Sequence, residues 1–152
     1  MDLPNTETRV MESTAQRLNI QIRRRLEAAI FYYAQHSDLI EERLNELDKE
    51  WDIERTLETN AAGVSMLGVM MAAHSRKWLI LPLAVAGFLM QHALQGWCPP
   101  IEIFRRFGVR TTKEINLERL GLKALRGDFN ALDFSNTPDP CQKAEKVLQL
   151  LK

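Results

Sequence analysis

Charged side chains are nearly missing from residues 61–97, where only Arg76 and Lys77 occur, side by side. A helix so poor in ionic groups does not belong on an ordinary water-facing surface. Cysteine is scarce too. Cys98 and Cys141 are the whole complement, and neither stands in a CxxC or Cys/His spacing. The histidines His36, His74 and His92 are scattered. Closely spaced zinc ligands are therefore lacking, and neither a metal nor another cofactor is expected. The formal net charge is zero and no broad basic field exists, which argues against nucleic-acid binding. The first 30 residues hold no apolar run of the kind a cleavable secretion signal carries. Paired catalytic carboxylates, a nucleophile with its base and a glycine-rich phosphate loop are all missing, so the chain does not read as an enzyme. No strand pattern, repeat or low-complexity tract stands out either.

What is present is helical periodicity. From Ser13 to Gln35 the apolar residues Leu18, Ile22, Leu26, Ala29, Ile30 and Tyr33 recur at three- and four-residue steps, after a start that reads as frayed over residues 1–12. His36-Ser37-Asp38 interrupts this helix, and Asp38 with Glu41 resembles a capping box. A second helix follows to about Leu57, with Ile40, Leu44, Leu47 and Trp51 on one stripe and a solvated acidic face bearing Glu41, Glu42 and Glu46. Beyond the apolar stretch, Ile101, Ile103, Phe104 and Phe107 form a short element that Gly108 ends. Thr111 with Glu114 opens another helix, stopped by Gly127 after Arg126. Residues 128–138 read as a loop. Asp139-Pro140 then starts a last helix whose apolar stripe is Cys141, Ala144, Leu148 and Leu151.

The charge-poor stretch divides at HSRK into Thr59–His74 and Trp78–Trp97. The second segment has the length of about 20 residues that a membrane crossing needs, and the first is short for one. Pro82 sits in the first turn of the second segment, where its missing N–H costs little, and Trp78 and Trp97 bracket it like interfacial tryptophans. Both segments are apolar around nearly their whole circumference, which fits either lipid or the core of a soluble bundle. A chain of 152 residues has little left to sheath two such helices, which favours lipid. Small residues at Ala61/Ser65 and Gly68/Ala72, and at Ala84 and Gly87, suit close helix contact in a bilayer. Seven cations flank the outer ends (Arg43, Lys49, Arg55, Arg105, Arg106, Arg110 and Lys113) against two in the turn, so both termini are expected in the cytoplasm. Asn60 on the first segment and Gln91, His92 and Gln95 on the second fall at one depth, which predicts an interhelical polar cluster. Arg105 and Arg106, with Trp78 and Trp97, are expected at the membrane interface. The Arg23-Arg24-Arg25 run reads either as a headgroup contact or as a solvated face.

The most specific stretch is GWCPPIEIFRRFGVRT, residues 96–111. Gly96, Cys98 and Pro99, followed by Gly108 and Thr111, resemble the G-x-C-P and G-x-x-T motifs of the bacterial YgaP-like transmembrane domain family. The resemblance covers about residues 55–112. It departs from the family's Asn-x-Gly and Arg pair at the start of the first helix, where Asn60, Gly63 and Arg55 match loosely. It implies an inner-membrane helical hairpin, a dimer, and a link to sulfur or thiol metabolism, because the family's hairpin is sometimes fused to a rhodanese domain. No rhodanese-like α/β pattern occurs in this chain. Cys98 is the candidate thiol. Nearby Arg105 and Arg106 favour a thiolate, whereas a position at a helix C-terminus disfavours it.

Together these features predict an all-α chain in three parts: amphipathic cytoplasmic helices over 1–58, a transmembrane helical hairpin with its Cys-Pro-Pro exit over 59–112, and short amphipathic cytoplasmic helices over 113–152. The expected partners are the lipid bilayer, a second copy and a cytoplasmic protein. Three functions remain open: a non-enzymatic scaffold or tether of the inner membrane, a sulfur or redox carrier using Cys98, and a soluble helical interaction module whose apolar segments form an oligomer core.

Overall fold

A computed structural model describes residue 5, residues 7–129 and residues 139–150, Leu150 by its backbone alone. All regular structure among these residues is helical. In chain order the helices are α1 (Arg9–Glu12), α2 (Gln16–Gln35), α3 (Ile40–Lys49), α4 (Ile53–Ala72), α5 (Ile80–Gln95), α6 (Pro99–Arg106), α7 (Thr112–Arg126) and α8 (Pro140–Leu150). Two compact units result. One contains Met1–Asn19 and Trp51–Thr111, the other Ile20–Glu50 and Thr112–Lys152.

In the second unit α2, α3, α7 and α8 bury a common apolar core. Leu26 and Ile30 of α2 meet Leu44 and Leu47 of α3 there, with Leu122 of α7 and Val147 of α8. The stripe read for α2 is buried at Leu18, Ile22, Leu26 and Ile30. A single 3-10 turn, Ser37–Leu39, separates α2 from α3, and Asp38 lies inside it. The expected cap does not form, because α3 begins after Leu39 with no side-chain cap. Asp139 does cap α8, its Oδ1 accepting from the Cys141 N–H at 3.1 Å. The face of α8 that enters the core runs through Ala144 and Val147, so Cys141 is exposed rather than packed. Leu151 and residues 130–138 of the expected loop lie outside the described residues. Arg43 Nε donates to Glu118 Oε1 at 2.9 Å, where the carboxylate side chain is only 1% exposed. The pair links α3 to α7.

The first unit contains the apolar stretch. The helix expected to run through to Leu57 instead ends at Lys49. Glu50 turns extended, and Asp52 caps a new helix by accepting from the Arg55 N–H at 2.8 Å. The freed Ile53 N–H donates to the Arg110 carbonyl at 2.8 Å. Helix α4 therefore starts six residues before Thr59 and is 20 residues long, about 30 Å at 1.5 Å per residue. Trp51 is left 46% exposed, with the Arg55 guanidinium 4.5 Å from its ring centroid. After α4 the chain turns at residues 73–75 and enters a 3-10 segment, Arg76–Leu79, that continues into α5. Helices α4 and α5 are antiparallel. Glu54, at the start of α4, bonds His92 near the end of α5, and Gly68 near the end of α4 meets Leu81 and Pro82 at the start of α5. A Cβ on Gly68 would lie 2.7 Å from Pro82 Cδ, so glycine sets how closely the two helices approach.

One run among the described residues, Arg76–Gln95, is long and apolar enough to cross a membrane, with mean hydropathy 1.4. Only 6% of its apolar window is buried by the rest of the chain. Met66 and Met70 on α4, with Ile80, Leu83 and Met90 on α5, are each 64–72% exposed.

Candidate functional site

Gly96, at φ +73°, closes α5 in the left-handed conformation that side chains disfavour. Its missing Cβ also makes room for α1, since a Cβ there would sit 2.6 Å from Arg9 Cβ and 2.7 Å from the Arg9 carbonyl oxygen. Helix α1 therefore docks on the end of α5, with Val10 buried. Residues 9–12 are thus an ordered helix where the sequence suggested fraying.

Docking brings three ionisable groups together. His92 Nε2 donates to Glu54 Oε2 at 2.7 Å. Arg9 Nη2 donates to the other carboxylate oxygen at 3.2 Å, and Arg9 Nη1 to the Ala93 carbonyl at 2.9 Å. The bond from His92 holds the Glu54 carboxyl below its ordinary range against its partial burial, with Arg9 adding to the effect. Burial covers the imidazole, and its Nδ1 has no hydrogen-bond partner among the described residues. The cluster is a clasp that joins α1, α4 and α5.

Of the four residues read from the sequence as an interhelical polar cluster, the clasp contains one. His92 takes part. Asn60 instead donates from Nδ2 to the Thr56 carbonyl of its own helix at 2.8 Å. Gln95 is exposed, and its backbone carbonyl lies 3.1 Å from Ser13 Oγ. Gln91 is half-buried on α5. Glu54 and Arg9 were missed. Asp52, a helix-capping residue, was the signal that would have put Glu54 in the first turn of α4. No local pattern marks Arg9, whose role comes from docking.

Cys98 is the N-cap of α6, not the end of the preceding helix, because Gly96 terminates α5 two residues earlier. Pro99 and Pro100 occupy the first helical positions, where no N–H is required. The helix dipole here favours a thiolate, but the thiol is 1% exposed. Burial pushes it up, the Ile101 N–H opposes that, and the Glu54 charge adds to it. Arg105 is buried as well, rather than lying at a surface. It donates from Nη2 to Asn19 Oδ1 at 2.8 Å and from Nη1 to the Val109 carbonyl at 3.2 Å. Arg106 is exposed, 3.7 Å from Glu102, and Trp78 and Trp97 are each 40% exposed.

Above Cys98 lies an open apolar cleft of about 170 Å³ between α4 and α5. Among the described residues no group of three or more His, Cys, Asp or Glu side chains is placed to hold a metal ion. No protein-family model, curated protein or solved structure matches the chain.

Proposed function

We propose that the chain is a small integral protein of the bacterial inner membrane, with α4 and the run Arg76–Gln95 as a transmembrane hairpin and the amphipathic helices on the cytoplasmic side. The observation that carries this is the bareness of the apolar run, of which 6% is buried by the chain itself. Leaving Met66, Met70, Ile80, Leu83 and Met90 two-thirds exposed to water forgoes on the order of 5–10 kcal/mol. That rivals the whole stability of a small domain, so another medium must cover the surface. Glu54, Arg55 and Glu58 in the first turns of α4 are left among the headgroups, and residues 59–72, about 21 Å at 1.5 Å per residue, enter the hydrocarbon. The cation asymmetry of seven against two orients both termini inward.

Within that membrane its work is scaffolding or tethering rather than catalysis, because Arg9, Glu54 and His92 are spent on the clasp and Arg105 on joining α6 to Asn19. The residues that carry the resemblance to the YgaP-like family stand at the ends of helices in this chain. Gly96 and Gly108 take positive φ to close α5 and α6, and Cys98-Pro99 opens α6. A sulfur-carrying role for Cys98 is disfavoured by its burial and raised thiol. A dimer is expected in the membrane, where nothing lies within 4 Å of the positions a Cβ would take on Gly63 and Gly87. Reporter fusions test the topology. A periplasm-dependent enzyme inserted at His74–Lys77 is expected to be active, and the same enzyme at either terminus inactive. Activity at a terminus, or none at the turn, overturns the proposal.

A further inference from the structure

The cleft above Cys98 has walls of one chemistry. Leu57, Ala61 and Val64 recur at four- and three-residue steps along α4, and Val85, Phe88 and Leu89 face them from α5. Ala61 leaves the space at the centre that a larger side chain would fill. The floor is closed, with Leu57 4% and Cys98 1% exposed, whereas the lip is open, with Val64 40% and Phe88 44% exposed. Asn60 borders the cleft, but its amide is used on the Thr56 carbonyl. No charged side chain among the described residues lines it.

Apolar cavities of about 150 Å³ stay dry and accept a six-carbon hydrocarbon such as benzene. A cleft of about 170 Å³ with this lining therefore selects hydrocarbon and offers nothing to a headgroup. Its lip is continuous with the bare apolar surface of α4 and α5. We infer that the cleft holds a segment of the acyl chain of a bilayer phospholipid, entering from the hydrocarbon between Val64 and Phe88. This rests on the membrane assignment proposed above. The floor at Leu57 and Cys98 is closed, so the bound segment enters through the lip with the glycerol ester and headgroup left outside the cleft.

Photolysis of membranes containing the full chain and a phospholipid with a diazirine part-way along its acyl chain tests this. Adducts are expected in the peptide spanning Leu57–Val64 and on Cys98, in addition to those on bilayer-facing Ile80 and Leu83. Ala61→Leu, which fills the cleft, is expected to lower the cleft adducts several-fold and leave those on Ile80 and Leu83 unchanged. Val64→Phe, at the exposed lip, carries the same expectation if Ala61→Leu fails to fold. Adducts on Ile80 and Leu83 with none in the cleft, or cleft adducts unaffected by both fillings, overturn the inference and leave the membrane assignment standing. Absence of adducts from Ile80 and Leu83 as well overturns the membrane assignment itself.

Discussion

Replacing Gly96 by alanine separates two costs that usually come together. Gly96 has φ +73° and Gly127 has φ +93°, so both substitutions force an L side chain into the left-handed region. That strain is worth about 1–2 kcal/mol. Around Gly127 nothing among the described residues lies within 4 Å of the position a Cβ would take, so strain is the penalty there. At Gly96 the new methyl would meet the Arg9 backbone at 2.7 Å and must push α1 away. Undocking α1 re-exposes Val10, worth about 1.5–3 kcal/mol, and breaks the Arg9 bonds to Glu54 and Ala93, worth about 1 kcal/mol each. The entropy regained by the freed segment offsets part of this. Gly96→Ala is therefore expected to cost roughly 3–5 kcal/mol and Gly127→Ala about 1–2 kcal/mol. Thermal unfolding in detergent reads the difference. Amide hydrogen exchange reads its cause, with residues 9–14 losing protection in Gly96→Ala alone. Equal losses of stability, or unchanged exchange over residues 9–14, would refute the docking of α1 by Gly96.

Three other outcomes follow from the same geometry. Gly68→Leu is expected to wedge α4 from α5 at Leu81 and Pro82 and lower the melting temperature, whereas Gly63→Ala, into open space, is expected to be neutral or to stabilise by up to about 1 kcal/mol. A water-soluble maleimide on the native chain is expected to modify exposed Cys141 quickly and buried Cys98 only after unfolding, and rapid double labelling in a mass spectrum would contradict the burial of Cys98. Because the Glu54 carboxyl is held low in the folded chain, its contribution is full above the ordinary carboxylate value and fades as pH falls through the folded one. The stability gap between wild type and Glu54→Gln should therefore narrow as pH falls through the carboxylate range, and a gap that widens with acid counts against the clasp.

How much of this was legible in the sequence depends on how local each cause is. The buried stripe of α2 was readable because Leu18, Ile22, Leu26 and Ile30 repeat with the helical period. The break before α4 was not, because Trp51 stands four residues after Leu47 and prolongs the apparent stripe, although it points outward beneath Arg55. Moving the start of α4 back to Ile53 brings Glu54 level with His92, a partner that a boundary at Thr59 hides. Cys98 was read at the wrong end of a helix because the left-handed turn at Gly96 occurs before the prolines rather than at them. In α8 the stripe was misplaced by one position, since the period admits both Cys141 and Val147 and only packing against the core chooses Val147. Arg9 and Asn19 gave no signal, as each acts across more than eighty residues of chain.

Alkaline carbonate extraction of membranes from cells expressing the chain tests most directly whether lipid covers the bare faces of α4 and α5. Retention in the pellet with the integral proteins is the predicted result. Release into the supernatant as a monodisperse oligomer would mean that protein, not lipid, covers Ile80, Leu83 and Met66, and would contradict the transmembrane hairpin.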